Sequence, residues 1–167
     1  MTFKLKGSVS SKTVCIPSCA GGEVIELENI KDNIFSSKIL GEGYGVIPSA
    51  NEITAPFNCV VRDITNGGQT LTLKCENGLH LLIHMGINLP EEILPRTNEH
   101  LYCCNVSKGD MVSAGTVLGK IDFESALSKG FDPTVVFIIT NSDTIENFNV
   151  CKGIKSIGEI AAKYSEK

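Results

Sequence analysis

QTLTLKCENGLHLLIHMGIN, residues 69–88, sets two β-rich runs around the dipeptide Asn77-Gly78. Asn-Gly between alternating apolar runs is the strongest short-range hairpin signal, because both residues accept the positive φ that a tight reversal needs. Side chains along a strand alternate between its two faces. In the second run Leu79, Leu81, Ile83 and Met85 therefore share a wholly apolar face, which predicts core. His80, Leu82 and His84 share the other face, the pattern of an apolar hollow with a polar centre. The two histidines are about 13 Å apart along a strand, too far to chelate one metal ion together. Folding the hairpin back brings Gln69 near the level of His84, which places amide donors beside an imidazole. Gly86 then lets the backbone approach a bound group closely. Read alone, each residue has a plainer account: His84 as a core histidine bonded to a carbonyl, Gln69 as a polar residue opening a strand.

The same rhythm extends outward in both directions. GGEVIELENI (21–30), GYGVIPS (43–49), APFNCVVRDIT (55–65), TVLGKID (116–122) and DPTVVFIIT (132–140) are short apolar runs separated by turn residues. That spacing predicts an all-β protein, an antiparallel β-sandwich or barrel-like single domain. KGDMVSAGTVLGKI (108–121) should contain a further tight reversal. Only DFESALSKG (122–130) reads as a short helix, with Asp122 to cap it and Gly130 to end it. SIGEIAAKY (156–164) adds a last helical turn or strand. The Ser- and Lys-rich residues 1–13 read as a flexible leader and 14–167 as the folded domain.

The totals exclude several functions. A formal charge of −4 argues against a nucleic-acid binder, which would carry a basic face. No apolar stretch reaches the roughly 20 residues of a bilayer span, and the polar start lacks a secretory signal, so the expectation is a cytoplasmic protein. The seven cysteines contain no C-x-x-C knuckle and their number is odd, which predicts free, mostly buried thiols and no structural metal.

Five segments together carry a family resemblance: GGEVIELENIKDNIFSSKILGEGYGVIPS, EITAPFNCVVRDI, ENGLHLLIHMGIN, VSKGDMVSAGTVLGKID and DPTVVFIITNSD. In this ordered set the chain resembles the glucose-type enzyme IIA of the bacterial phosphoenolpyruvate-dependent sugar phosphotransferase system, over about residues 14–150 and with the motifs at about 32–138. The resemblance implies an antiparallel β-sandwich with a shallow apolar depression. It implies that His84 is the phosphoacceptor, taking a phosphoryl group from the carrier protein HPr and giving it to a cysteine of an enzyme IIB domain. No cofactor is implied, and contact with the membrane comes only through a permease partner. Asp32 matches an acidic residue flanking the family's site; without the match a solvated turn aspartate in IKDNIF is an equally good reading. Ile34, Phe35, Leu40 and Leu82 match the apolar docking rim, whereas composition alone would make them core.

Three positions depart from the family pattern. Gln69 stands where the family has a second histidine, Asn88 where a second acidic residue is usual, and His80 where an acid is common. Glutamine keeps donors for a phosphate oxygen but carries no positive charge. A charge-assisted bond is about twice as strong as a neutral one, so onward transfer should lose support. Asn88 removes a negative charge near the phosphate and works partly the other way. Gln69 also weakens any zinc site between cross-strand histidines, so no tight metal is expected. His80 reads as a rim histidine in water, and His100, in TNEHLY, has no assigned role. The competing reading is a regulatory binding module, docking on transporters or kinases through the same face, with phosphorylation as its switch. A biotinyl- or lipoyl-type carrier is excluded, because KGDMVSAG lacks the exposed carrier lysine.

Overall fold

In the computed structural model, which describes residues 12–89 and 101–167, the alternating runs become strands. They are β1 (Thr13–Pro17), β2 (Ala20–Glu26), β3 (Glu42–Thr54), β4 (Cys59–Thr65), β5 (Thr70–Cys75), β6 (His80–Ile87) and β7 (Tyr102–Cys104). There follow β8 (Met111–Val112), β9 (Val117–Ile121), β10 (Asp132–Ile139), β11 (Ile145–Val150), β12 (Gly153–Lys155) and β13 (Ile160–Glu166). A small sheet runs β1-β13-β11, and a large one runs β12-β2-β3-β10-β6-β5-β4-β8. β3 is long enough to pair with β2 and β10 through its first half and with β9 at Glu52–Thr54. Every pairing among the described residues is antiparallel, so the all-β antiparallel expectation holds. Residues 1–11 of the leader, and His100, lie outside the described residues.

The β5–β6 hairpin forms, with one difference from the sequence reading. The loop has three residues, Glu76–Gly78, closed by Cys75 N–H donating to the Leu79 carbonyl at 2.9 Å. Gly78 sits at φ +90°, in the left-handed region that such a loop requires. Leu79, Leu81, Ile83 and Met85 are all buried, as their shared face predicts. β10 lies beside β6 and adds Val135, Phe137 and Ile139 to the same core face. Phe137 stacks on Tyr44 of β3, ring centroids 4.7 Å apart and planes 20° from parallel. The Tyr44 hydroxyl accepts the Cys19 N–H at 3.1 Å, so this deep phenol is satisfied.

Among the described residues two α-helices interrupt the sheets. α2 (Phe123–Ser128) is the one expected, capped by Asp122, whose carboxylate accepts the Ser125 N–H at 3.1 Å. α1 (Asn33–Ser36) was not anticipated and is a single capped turn. It follows a 3₁₀ turn at Leu27–Asn29, and the two lie over the outer face of the large sheet. There Leu27, Ile30, Ile87, Val136 and Ile138 form a second, smaller apolar cluster, with Phe35 and Leu82 against its edge. The tail resolves as strand β13. The cysteine expectation needs correction. Cys19, Cys59 and Cys75 are buried, but Cys15 and Cys103 are exposed and Cys104 and Cys151 half-buried, because these four lie on outer faces or strand edges.

Candidate active site around His84

His84 projects from the outer face of β6, half-buried, and its neighbouring strands decide what it meets. β10 sets Val136 directly across on one side, and β5 sets Thr70 across on the other. Thr70 Oγ1 lies 2.8 Å from His84 Nδ1, and Asn66 Nδ2 donates to the same hydroxyl at 3.5 Å. Sequence reading missed Thr70. The three-residue loop shifts the register by one from a two-residue turn, and only the closed hairpin reveals it.

Gln69 does reach the ring, but by another route. Its backbone is helical (φ −70°, ψ −32°), at the end of a 3₁₀ turn over Asn66–Gly68, so its side chain escapes the strand's alternation. It is 6 % exposed. Its Nε2 donates to the Met85 carbonyl at 3.0 Å and the Gly86 carbonyl at 3.4 Å, and lies 3.4 Å from His84 Nε2. Gly86 is held at φ +83°, and a Cβ there would come within 2.5 Å of Leu89. A side chain at position 86 would therefore be strained in its backbone and would crowd Leu89.

Asp32 is the N-cap of α1, its Oδ1 accepting from Ile34 N at 2.9 Å and Phe35 N at 3.3 Å. An aspartate opening a helical turn in this way is a local sequence signal that could have found the element. The cap orients the turn so that the Phe35 ring lies 5.3 Å from the His84 ring, tilted by 44°. Burial lowers the His84 pKa below its ordinary 6.5, and the Asp32 charge and the Gly86 carbonyl oppose that shift without cancelling it. The imidazole is thus neutral at pH 7, with a lone pair available. Because the unfolded chain binds the proton first, His84 costs stability as pH falls below 6.5 and costs nothing above it.

An NMR titration of the ring should accordingly give a midpoint below 6.5. Asp32→Asn should lower it further, since asparagine keeps the cap but not the charge. A wild-type midpoint at or above 6.5 would contradict the burial argument.

The reading of Ile34 and Leu40 as core on composition fails. Ile34 is 58 % exposed and Leu40 38 %, because α1 and the turn after it ride on top of the small cluster. Ile39, unanticipated, is 77 % exposed beside them. Phe35 and Leu82 are half-buried at that cluster's edge. Asn88 is exposed at the end of β6, in the left-handed region at φ 51°. It borders a shallow cleft with Lys31, Phe131 and Asp132, whose carboxylate accepts from the Thr134 N–H and hydroxyl. His80 is exposed, opposite Lys74 and separated from His84 by Leu82 on the same face. Among the described residues no cluster of three or more His, Cys, Asp or Glu side chains could hold a metal ion.

The site is thus a neutral, half-buried histidine with the Thr70 hydroxyl on one ring nitrogen and the Gln69 amide beside the other, on an antiparallel β-scaffold. Residues 14–145 match the family described as phosphoenolpyruvate-dependent sugar phosphotransferase system, EIIA 1, and the chain belongs to that family as a glucose-type enzyme IIA. It is 29 % identical over 151 residues to the glucose-specific EIIA component of Staphylococcus aureus, covering 87 % of this chain and 84 % of that one. It is 30 % identical over 147 residues to the glucose-specific EIICBA component of Streptococcus pneumoniae, covering 87 % of this chain and 19 % of that protein. The fold matches glucose permease IIA from Mycoplasma capricolum with a TM-score of 0.74, at 21 % identity, over 91 % of this chain and 96 % of that one. Among the described residues no helix is long and apolar enough to cross a membrane.

Proposed function

We propose that His84 is a phosphohistidine relay, accepting from phospho-HPr and donating to a cysteine of an enzyme IIB domain in sugar uptake, in the cytoplasm. The observation that carries the reading is the pair of contacts on the ring: Thr70 Oγ1 at 2.8 Å from Nδ1 and Gln69 Nε2 at 3.4 Å from Nε2. In the tautomer with the proton on Nδ1, that N–H donates to Thr70 and Nε2 presents its lone pair. Attack by Nε2 on phosphorus breaks the donor's P–N bond, and the donor imidazole leaves neutral. His84 then carries the phosphoryl group on an imidazolium whose charge strengthens the bond to Thr70. Gln69 keeps its 3.0 Å bond to Met85 and can turn its second N–H, now shared at 3.4 Å, onto a phosphoryl oxygen. Onward transfer reverses these steps toward the IIB thiolate.

Asp32, Ile34, Phe35, Leu40, Leu82 and Asn88 form the proposed partner face: apolar side chains exclude water, and Asp32 engages a cationic partner. The name of the Streptococcus relative joins IIA with IIB and IIC in one chain, which supports a IIB domain as the receiver. Regulatory targets would use the same face.

The test is a phosphorylation chase with enzyme I, HPr and labelled phosphoenolpyruvate, followed by a IIB domain. Label that appears and discharges supports the relay. Label that appears and stays supports instead the regulatory module, which the neutral Gln69 favours. No label overturns both. Gln69→His should speed discharge about tenfold, since a charge-assisted bond adds roughly 1.4 kcal/mol to transition-state stabilisation. Equal discharge rates would show that position 69 does not limit transfer.

A further inference from the structure

At the other end of β5 the sheet places two cysteines face to face. Cys59 of β4 and Cys75 of β5 are register partners, with sulfurs 2.7 Å apart. The neighbouring pair is bonded, Glu76 N–H donating to the Asn58 carbonyl at 3.0 Å, and Cys75 N–H points the other way, to Leu79. Bonded and non-bonded pairs alternate along an antiparallel ladder, so Cys59 and Cys75 occupy a non-hydrogen-bonded pair. That is where Cα atoms approach to about 4.5 Å, within the span a disulfide bridges. Both thiols are almost fully buried, yet both line a surface cleft of about 530 Å³. Arg62, Lys74, Glu76 and the exposed Met111 also line it.

We propose that Cys59 and Cys75 form a redox-active dithiol that a small peroxide, entering from this cleft, oxidises to an intrachain disulfide. Cys59 is the attacking sulfur. As a thiol, Cys59 Sγ donates to the Phe57 carbonyl at 3.1 Å; as a thiolate it can only accept from Cys75 across the 2.7 Å contact, which holds the Cys59 pKa down, while the same contact and burial push Cys75 up. The Cys59 thiolate attacks the peroxide O–O bond, giving a sulfenic acid and hydroxide. The Cys75 thiol then displaces the sulfenic oxygen: the S–S bond forms, the S–O bond breaks and water leaves. In total two thiols and one hydrogen peroxide give one disulfide and two waters, sulfur being oxidised and the peroxide oxygens reduced. The bond closes the loop 59–75, which contains Gln69 and Thr70, so it would staple the base of the arm that supports His84.

The full-length protein, folded and reduced, should be treated with one equivalent of hydrogen peroxide, alkylated and digested with trypsin without reductant. The expected product joins peptides 39–62 and 75–96, about 2 Da lighter than their sum, and a dithiol reductant returns both. The link should dominate over all other pairings, although Cys15 and Cys103 are exposed and free to compete. Cys75→Ser should abolish it and leave Cys59 as a trapped sulfenic acid. The wild-type map decides the matter even if that variant folds poorly. Alkylated Cys59 and Cys75 alongside oxidised Met111, or linkage scattered among the seven cysteines, would overturn the proposal.

Discussion

His84→Ala should remain unlabelled by phospho-HPr under conditions that fully label the wild type. Removing the group that forms the covalent bond costs on the order of a million-fold where it has been measured, which in this assay reads as zero. The side chain is half-buried on the outer face and its core neighbours Ile83 and Met85 point the other way, so the variant should fold. A circular dichroism spectrum matching the wild type would confirm that the loss is chemical. Thr70→Val, which keeps shape and removes the hydroxyl, separates orientation from nucleophilicity. It should slow labelling about tenfold, the worth of one hydrogen bond of roughly 1.4 kcal/mol. Undiminished label on His84→Ala would move the phosphoacceptor to another residue. Full-speed labelling of Thr70→Val would remove the hydroxyl from the mechanism.

Phe137→Ala should be the most damaging core substitution, by about 3–5 kcal/mol. Phe137 has no exposed surface and sits mid-sheet, with Ile83 across on β6 and Tyr44 across on β3. Truncation removes its stack on Tyr44 and leaves a cavity that the rigid β10 ladders on either side cannot close. Typical domains have only about 5–15 kcal/mol in hand. A chain of this size should therefore lose about 6–20 °C in melting temperature, read by calorimetry. A drop below about 3 °C would mean that the sheets relax into the space.

The large features were legible because they depend on local periods. Alternation in LHLLIHM separated a core face from a site face, and Asn77-Gly78 marked the hairpin. Asp122 and Gly130 bracketed α2, and the ordered motifs carried the family. The features that escaped depend on register and on close approach of distant segments. Thr70 escaped because one extra loop residue changes which side chain opposes His84. The proximity of Cys59 and Cys75 escaped because they lie 16 positions apart and only the β4–β5 pairing brings them together. Ile34 and Leu40 were open to a core reading because exposure depends on what lies beneath α1.

By itself, then, the sequence determined the class of fold, the face on which His84 stands and the substitution at position 69, since patterning and residue identity are properties of the chain alone. Tertiary structure decided what each group touches: Thr70 on Nδ1, Gln69 across the backbone beyond His84, Phe35 over the ring, and two thiols poised across a ladder. Those contacts follow from register and backbone conformation, which are settled only when all the strands pair at once.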